Sequence, residues 1–223
     1  MKQRQVHPLS WILAVLVPIN LYVIFYYAPV EKTMGIVQKV FYFHVAAAWI
    51  GLLAFCVVFA ASILYLWRRE DRINHLALAS AEIGTVFITG TLLTGPLWAY
   101  PIWNTWWTWD PRLTTTLVLW FMYVAYMALQ SGGVTEARKR LAAIYGIIAF
   151  VNVPLVFFSA RWWRSIHPIV VTTEGIGLTG KMKVALFMSL AVFSLLYVYL
   201  VPLRVKSIAL KEQVRQLKAE LLR

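Results

Sequence analysis

The sequence predicts an all-α fold: an integral membrane bundle of six transmembrane helices, with cytoplasmic N and C termini and an amphipathic C-terminal helix. The first observation is composition, because 61% of the 223 residues are hydrophobic and 13% are charged, whereas soluble domains are roughly half apolar and a quarter charged. The second is a set of six apolar runs of spanning length. The third is an uneven distribution of lysine and arginine along the chain.

The apolar runs define the helices. They lie at residues 11–28, 45–67, 73–95, 113–130, 141–160 and 184–203. Each has roughly the 17–25 residues that a transmembrane helix needs. Short connections leave no room for a separate soluble domain, so we assign residues 1–203 to one membrane domain and residues 204–223 to a cytoplasmic tail. The first run lacks a small-x-small cleavage site after it, so we expect it to remain as a helix.

Lysine and arginine are more frequent on one side of these helices. Fourteen fall in the segments on the side of the termini and seven on the other side. By the positive-inside rule, the termini are then cytoplasmic and residues 29–40, 96–112 and 161–183 are the outer segments. The net charge of +12 therefore follows from membrane topology, and we expect a lipid bilayer and no nucleic acid among the partners.

The second run extends outward beyond its apolar part. A continuous helix from Gln38 to Trp67 would be about 45 Å long, which exceeds the hydrocarbon thickness of about 30 Å. We therefore expect this helix to project beyond the outer surface, with His44 near the interface.

Two residues inside the runs are unusual. Glu82 is ionisable and lies well within its run, so it is either a hydrogen-bonding hub between closely packed helices or a functional group. Cys56, the single cysteine, can form neither an internal disulfide nor a thiol metal cluster, and we expect it to be buried.

The tail carries an apolar stripe on one helical face. Leu210, Val214, Leu217 and Leu221 are spaced by four, three and four residues, and basic residues are frequent around them. Such a helix can lie on anionic lipid or dock on a cytoplasmic partner, and the sequence leaves both interpretations open.

Two of the four histidines fall on the outer side. His44 and His167 share that side, whereas His7 and His75 fall on the cytoplasmic side. A lone histidine in a membrane protein is more often a packing residue. A pair on one side can instead bind haem iron axially, because imidazole is a good iron ligand. Spacing alone leaves both interpretations open.

The outer segments combine tryptophan with charge. Residues 103–112 read WNTWWTWDPR and residues 159–168 read SARWWRSIHP. Tryptophans at an interface usually form an aromatic belt, but a belt is scattered around the perimeter, whereas these are concentrated in single connections. A flat aromatic wall, an imidazole and cations for propionates are what haem requires. Asp110 could pair with Arg112, hold an imidazole N–H or accept an indole N–H.

These segments resemble a known family. WNTWWTWDPRLT resembles the tryptophan-rich WWD signature of CcmC-type haem-handling proteins of cytochrome c maturation. FYFHVAAAW, SAEIGTVFITGTLLTGPLW and ARWWRSIHP resemble other segments of the same family, so the similarity covers most of the chain. The chain has Asn104 and Ala99 where the family usually has glycine, Ala46 where it often has proline, and Pro168 where glutamine is common.

The resemblance implies that haem b is held at the outer face, with His44 and His167 as axial ligands of the iron. The tryptophan segment would form the platform, and neighbouring arginines would bind the propionates. The implied cofactor-binding residues are His44, His167, Trp98, Trp103, Trp106, Trp107, Trp109, Asp110, Arg112, Arg161, Trp162, Trp163 and Arg164.

The resemblance also implies a function and partners. The chain would be a haem-delivery subunit of the bacterial inner membrane, not an enzyme, and would present haem to a CcmE-like periplasmic chaperone. It would work beside ABC-type CcmA- and CcmB-like subunits and a small CcmD-like membrane protein.

Two alternatives are a b-type cytochrome in electron transfer and an exporter that moves haem across the bilayer. The first generally needs a second redox centre or a quinone site, and one outer histidine pair supplies neither. For the second, the interior is polarised only by Glu82 and scattered amides such as Asn20 and Asn152, and there is no pair of broken helices of the transporter kind.

Overall fold

Seven helices form the six apolar spans among residues 8–131, 135–167, 171–172 and 175–222, which this computed structural model describes. They are α1 (Pro8–Tyr22), α2 (Gln38–Arg68), α3 (Asp71–Trp103), α4 (Pro111–Ser131), α5 (Glu136–Phe150), α6 (Asn152–Trp162) and α7 (Gly180–Leu221). A π-helical segment, Val23–Tyr27, prolongs α1, and α5 and α6 together make one span. All six spans are long and apolar enough to cross a membrane, which confirms the predicted all-α bundle of six membrane helices.

The third helix is longer than the sequence predicted. A connection was expected from residue 96, but α3 continues through Pro96 and Pro101 to Trp103. Prolines are tolerated in membrane helices where neighbouring groups satisfy the backbone. Asn104 then ends α3 with a φ of 51°, in the left-handed region. Asparagine is the usual substitute for glycine in that conformation, so it can make the turn at the position where glycine was expected.

The fifth span is broken near its middle. α5 ends at Phe150 and α6 begins at Asn152, with Val151 between them. Pro154 explains the break, because its ring clashes with the carbonyl four residues earlier and it donates no hydrogen bond. The later turns of α6 are thereby redirected, and they lead to the segment that carries His167.

Close packing of α2 on α3 organises the core. A Cβ on Gly84 would lie 2.8 Å from the Cβ of Ala54, and one on Gly51 would lie 2.5 Å from the Cδ1 of Ile88. Only glycine allows this approach of the two backbones. Phe55 of α2 stacks on Tyr123 of α4 in the same core, with parallel rings. The predicted buried position of Cys56 is wrong, because this residue is exposed on the opposite face of α2.

The end of the bundle at which α2 meets α3 and α4 meets α5 is called the tail end here. α7 passes through Pro202 without a break and extends along this end to Leu221. Glu82 makes a two-point ion pair with Arg204 of α7, whose Nη2 lies 2.7 Å from Glu82 Oε1, so this carboxylate links α3 to α7.

Further along α7, Glu212 bonds to His75 at 2.6 Å, and also lies within 3.5 Å of the ammonium of buried Lys139. Lys139 is in turn paired with Asp71 at the start of α3. The face of α7 opposite these contacts carries the exposed side chains Leu210, Val214, Leu217 and Leu221. The predicted amphipathic C-terminal helix is therefore confirmed, and ion pairs at Arg204 and Glu212 hold its first turns against the bundle.

The opposite end of the bundle, called the site end, contains the start of α2, the end of α3, the start of α4 and the end of α6. The outer segments predicted at 29–40, 96–112 and 161–183 all have residues at this end. Between α6 and α7 a two-residue antiparallel ladder pairs Val171–Thr172 with Gly175–Ile176. Pro168 lies outside the described residues.

Candidate functional site

His44 and His167 face each other at the site end. His44 lies on the second turn of α2, and His167 follows the end of α6 by five residues. Their ring centres are 6.3 Å apart, although the residues are distant in sequence. Trp98 of α3 lies 6.4 Å from each imidazole and is almost completely buried. The fold thus brings both predicted histidines and one predicted tryptophan together.

A hydrogen bond to a threonine sets the tautomer of His44, with the proton on Nδ1. Thr94 Oγ1 lies 2.7 Å from the carbonyl oxygen of Gly90, to which it donates, and 3.0 Å from His44 Nδ1. The single hydroxyl proton of Thr94 is used in the first bond, so Nδ1 of His44 must be the donor in the second. The lone pair of the neutral ring is then on Nε2, which is the nitrogen available to a metal.

Asp110 and Arg112 contact the segment that carries His167. Asp110 is buried, and its Oδ2 accepts the backbone N–H of Ile166 at 3.0 Å, while its Oδ1 accepts that of Arg112 at 2.9 Å. Nη1 of Arg112 lies 3.4 Å from Nδ1 of His167, and Nη2 donates to the carbonyl oxygen of Phe157 at 2.8 Å. The start of α4 is thereby joined to both the end of α6 and the residues after it.

A cavity of about 490 Å³ lies beside the two histidines. Residues of α2, α3, α4 and α6, of the 104–110 connection and of the segment that carries His167 form its walls, which are mainly aromatic and aliphatic. The predicted residues that line it are His44, Trp98, Trp103, Trp106, Trp107, Arg112, Arg161 and His167. Within the wall, Trp98 packs edge-on against Trp103 with ring centres 5.3 Å apart, and Trp106 stacks on Tyr100 at 4.3 Å.

The remaining predicted residues lie outside the cavity wall. Trp109 is 75% exposed, and three further residues are exposed at and just after the end of α6: Trp162, Trp163 and Arg164. Asp110 is buried, and within the described part of the chain its carboxylate bonds to main-chain amides and not to an imidazole, an indole or the guanidinium of Arg112. The structure therefore divides the predicted residues into three groups. Eight line the cavity, Asp110 is buried and accepts backbone N–H groups, and the other four are exposed.

Several wall residues carry polar atoms without a partner. Within the described part of the chain, the buried Nε1 atoms of Trp98 and Trp107, the Oγ1 of Thr108 and the Nε of Arg112 have no hydrogen-bond partner. Buried polar groups are usually paired, so a cluster of unpaired ones requires an explanation. All four atoms can donate a hydrogen bond, which suits a ligand that carries acceptor oxygens.

Several helical residues of the cavity wall were not predicted from the sequence. Trp49 and Leu52 of α2, Thr91 of α3 and Phe157 of α6 line the cavity, and Thr94 bonds to His44. Helical spacing could have found part of this set, because Thr91, Thr94 and Trp98 recur by three and four on one face of α3. That signal was hidden by the assumption that the helix ends before Pro96.

Other parts of the molecule offer less chemistry. A groove of about 630 Å³ lies towards the tail end beside the Glu82–Arg204 pair, and its described lining contains neither histidine nor tryptophan. Among the described residues, no three His, Cys, Asp or Glu side chains are placed to hold a metal ion together. His75 is engaged at the tail end, and His7 lies outside the described residues. The histidine pair is therefore the candidate site.

The fold and the site define a class: a multi-pass membrane protein with two facing histidines in a tryptophan-rich cavity at one end of a six-span bundle. Comparison with family models gives the particular family. The model for CcmC, described as heme exporter protein C, matches residues 1–220, and the chain belongs to this family.

Individual relatives agree with the family match. Heme exporter protein C of Bradyrhizobium diazoefficiens is 34% identical over 194 residues, covering 86% of this chain and 74% of the relative. The protein of the same name from Rhodobacter capsulatus is 33% identical over 205 residues, covering 87% and 81%. That of Haemophilus influenzae is 31% identical over 195 residues, covering 85% and 78%.

Proposed function

We propose that this chain holds haem b between His44 and His167 at the outer face of the bacterial inner membrane and delivers it during cytochrome c maturation. The observation that carries the proposal is the facing pair of imidazoles, 6.3 Å apart between ring centres. Metal–imidazole bonds are about 2.0–2.1 Å long, so two imidazoles on opposite sides of one metal ion have ring centres about 6 Å apart. The separation fits one iron between the two rings.

The cavity walls support a flat, largely apolar ligand. A volume of about 490 Å³ falls within the roughly 300–1,000 Å³ of ordinary ligand pockets. Trp98, Trp103 and Trp107 supply aromatic surface, while Arg112 and Arg161 bring positive charge to the same wall. Arginine is suited to carboxylates, which are the polar groups of haem. The unpaired donors in the wall add further bonds for carboxylate oxygens.

The two histidines would hold the iron differently. His44 is on a helix, and its Nδ1–H is committed to Thr94, so Nε2 is ready to bind. His167 is on a connection, and Arg112, which can only donate, faces its Nδ1. To bind iron through Nε2, neutral His167 would move its proton to Nδ1 and give up the contact with Arg112. His44 is thus the preorganised ligand and His167 the exchangeable one, as a delivery protein requires.

The remaining features of the proposal are its sidedness and its partners. The excess of lysine and arginine at the tail end supports a cytoplasmic location for that end and a periplasmic location for the histidines. The receiver would be a CcmE-like haem chaperone. The chain would act beside CcmA- and CcmB-like ABC subunits and a CcmD-like membrane protein, as a binding subunit and not as an enzyme. The relatives' name, heme exporter protein C, raises haem export as the alternative.

The proposal is tested by haem binding to the full-length protein in lipid nanodiscs. We expect about one haem per wild-type chain, and large losses in His44→Ala and in His167→Ala. His75→Ala, which removes a histidine at the tail end, is the matched control and should keep its haem. Wild-type haem content in both cavity variants would contradict the proposal.

Delivery and export are separated by a second measurement. Loaded protein is mixed with the purified chaperone, and transfer of haem is followed by absorbance. In parallel, proteoliposomes are assayed for haem movement from the inside to the outside. Delivery predicts transfer without net movement across the bilayer, whereas movement that needs no chaperone would support export.

A further inference from the structure

We infer that Asp110 is a positioning residue that holds His167 in place through the backbone, and that it does not contact haem itself. The role of Asp110 in haem binding rests on the proposed function, whereas its two hydrogen bonds are present in the structure without haem. Asp110 is 8% exposed, and its two carboxylate oxygens bond to two different parts of the chain.

The first carboxylate oxygen caps a helix. Asp110 precedes Pro111, the first residue of α4, and Oδ1 accepts the N–H of Arg112 while the Asp110 carbonyl accepts that of Thr114. Aspartate before proline is a favourable start for a helix, because aspartate is a strong N-cap and proline suits the first turn. This bond holds the backbone of Arg112 in the first turn of α4, from which its side chain extends towards His167.

The second carboxylate oxygen reaches across the site. Oδ2 accepts the N–H of Ile166, the residue directly before His167, at 3.0 Å. Ser165 Oγ accepts the N–H of His167 at 3.0 Å, so the segment is also bonded internally. The bond from Asp110 joins this segment to α4, and α6 has ended four residues earlier, at Trp162.

One carboxylate therefore holds two parts of the chain, the start of α4 and the segment that carries His167. It fixes Arg112 at the beginning of α4 and His167 on the opposite segment, and these two side chains approach to 3.4 Å. Asparagine at this position could cap α4 as well as aspartate does. Its amide has a single acceptor oxygen, however, and its NH₂ group cannot accept the N–H of Ile166. A charge-assisted bond to the backbone would also become a weaker neutral one.

The experiment compares Asp110→Asn with wild type and with Thr135→Ala, all as full-length protein in nanodiscs. Thr135 caps α5 at the tail end by accepting the N–H of Arg138, so its variant reports the loss of a helix cap away from the site. The first readout is hydrogen–deuterium exchange of the peptide containing Ile166, without haem. We expect about tenfold faster exchange at this amide in Asp110→Asn only.

The second readout is the haem absorption spectrum. We expect Asp110→Asn to lose the six-coordinate, two-histidine spectrum in part, with haem affinity about 10–100-fold weaker. Added imidazole should restore the six-coordinate spectrum, because it replaces a ligand that is misplaced and not a group that touches the porphyrin.

The outcomes separate the two proposals. Unchanged exchange at Ile166 overturns the positioning role whatever haem does. Faster exchange with a wild-type spectrum and affinity also overturns it, because His167 would then be held without Asp110. If wild-type protein shows no histidine-ligated haem, the proposed function fails, while the exchange result still decides whether Asp110 orders the segment.

Discussion

At the scale of single residues, residue types and spacing singled out His44 and His167 as a pair on one side but left their role open, and they did not predict the groups that contact them. His44 and His167 were predicted together because imidazoles share one side of the membrane with tryptophans. Thr94 was not predicted, since its role requires knowing that α3 continues to Trp103 and that its threonine face meets α2. The bond between Asp110 and the amide of Ile166 links positions 56 residues apart through the main chain, and no side-chain pattern encodes it.

Replacing Thr94 tests the orientation of His44. Thr94→Val keeps the shape of the side chain but removes the oxygen that accepts the Nδ1–H of His44. Because partners of ligating histidines typically contribute 10–100-fold in metal affinity, we expect haem binding to weaken by about that factor. The measurement is a haem titration of the purified protein.

The control for Thr94 is on the same helix. Thr85 Oγ1 donates to the carbonyl oxygen of Ala81 at 2.7 Å, as Thr94 does to Gly90, but none of the described histidines is bonded to Thr85. Thr85→Val should therefore bind haem as wild type does. Equal affinities in the two valine variants would show that Thr94 does not orient the ligand.

At the scale of helices, apolar runs located every span but misplaced some ends. The second helix was expected to extend outward beyond its apolar run at 45–67 if it continued from Gln38, and α2 does begin at Gln38. The extension of α3 past Pro96 was not predicted, because proline usually ends helices in water, whereas the bundle supports it here. The break between α5 and α6 follows from Pro154 and could have been predicted from the sequence.

Close contact between α2 and α3 is the helix-scale feature that places His44 against Thr94. Gly84→Leu would force side-chain atoms into Ala54 and Phe55, since even a Cβ would lie 2.8 Å from each. Overpacking of this kind costs about 1–3 kcal/mol, so we expect a lower midpoint of thermal unfolding and weaker haem binding.

Gly90→Ala provides the comparison on the same helix. A Cβ at Gly90 meets no atom within 4 Å, and alanine is favoured over glycine in helices by roughly 0.5–1 kcal/mol. This variant should unfold at the wild-type temperature or slightly above. If Gly84→Leu and Gly90→Ala melt alike, the two helices do not depend on glycine for their packing.

At the scale of the whole molecule, composition predicted a membrane bundle with chemically different ends. The site end gathers tryptophan and two histidines, and the tail end gathers ion pairs. The network of Asp71, Lys139, His75 and Glu212 was not predicted, because its members come from three distant parts of the chain. In the sequence, residues 68–72 and 131–140 are short connections rich in lysine and arginine, and the acidic partners of Lys139 are brought to it only by the fold.

Sidedness is the prediction that belongs to this scale. In a Cys56→Ser background, Lys32→Cys places a thiol at the site end and Lys211→Cys places one on the tail helix, and both positions are exposed. Since lysine and arginine favour the tail end, we expect a membrane-impermeant maleimide to label only the first in intact spheroplasts. Labelling of the second alone would place the site end in the cytoplasm.

The central claim is that one haem iron is bound by both His44 and His167. Electron paramagnetic resonance of the ferric, haem-loaded protein tests it most directly, because it reports the spin state and the axial ligands of the iron. We predict a low-spin signal with two imidazole ligands in wild type, lost in His44→Gly and in His167→Gly and regained in each on adding imidazole. A wild-type low-spin signal that persists in either glycine variant without imidazole would contradict the claim.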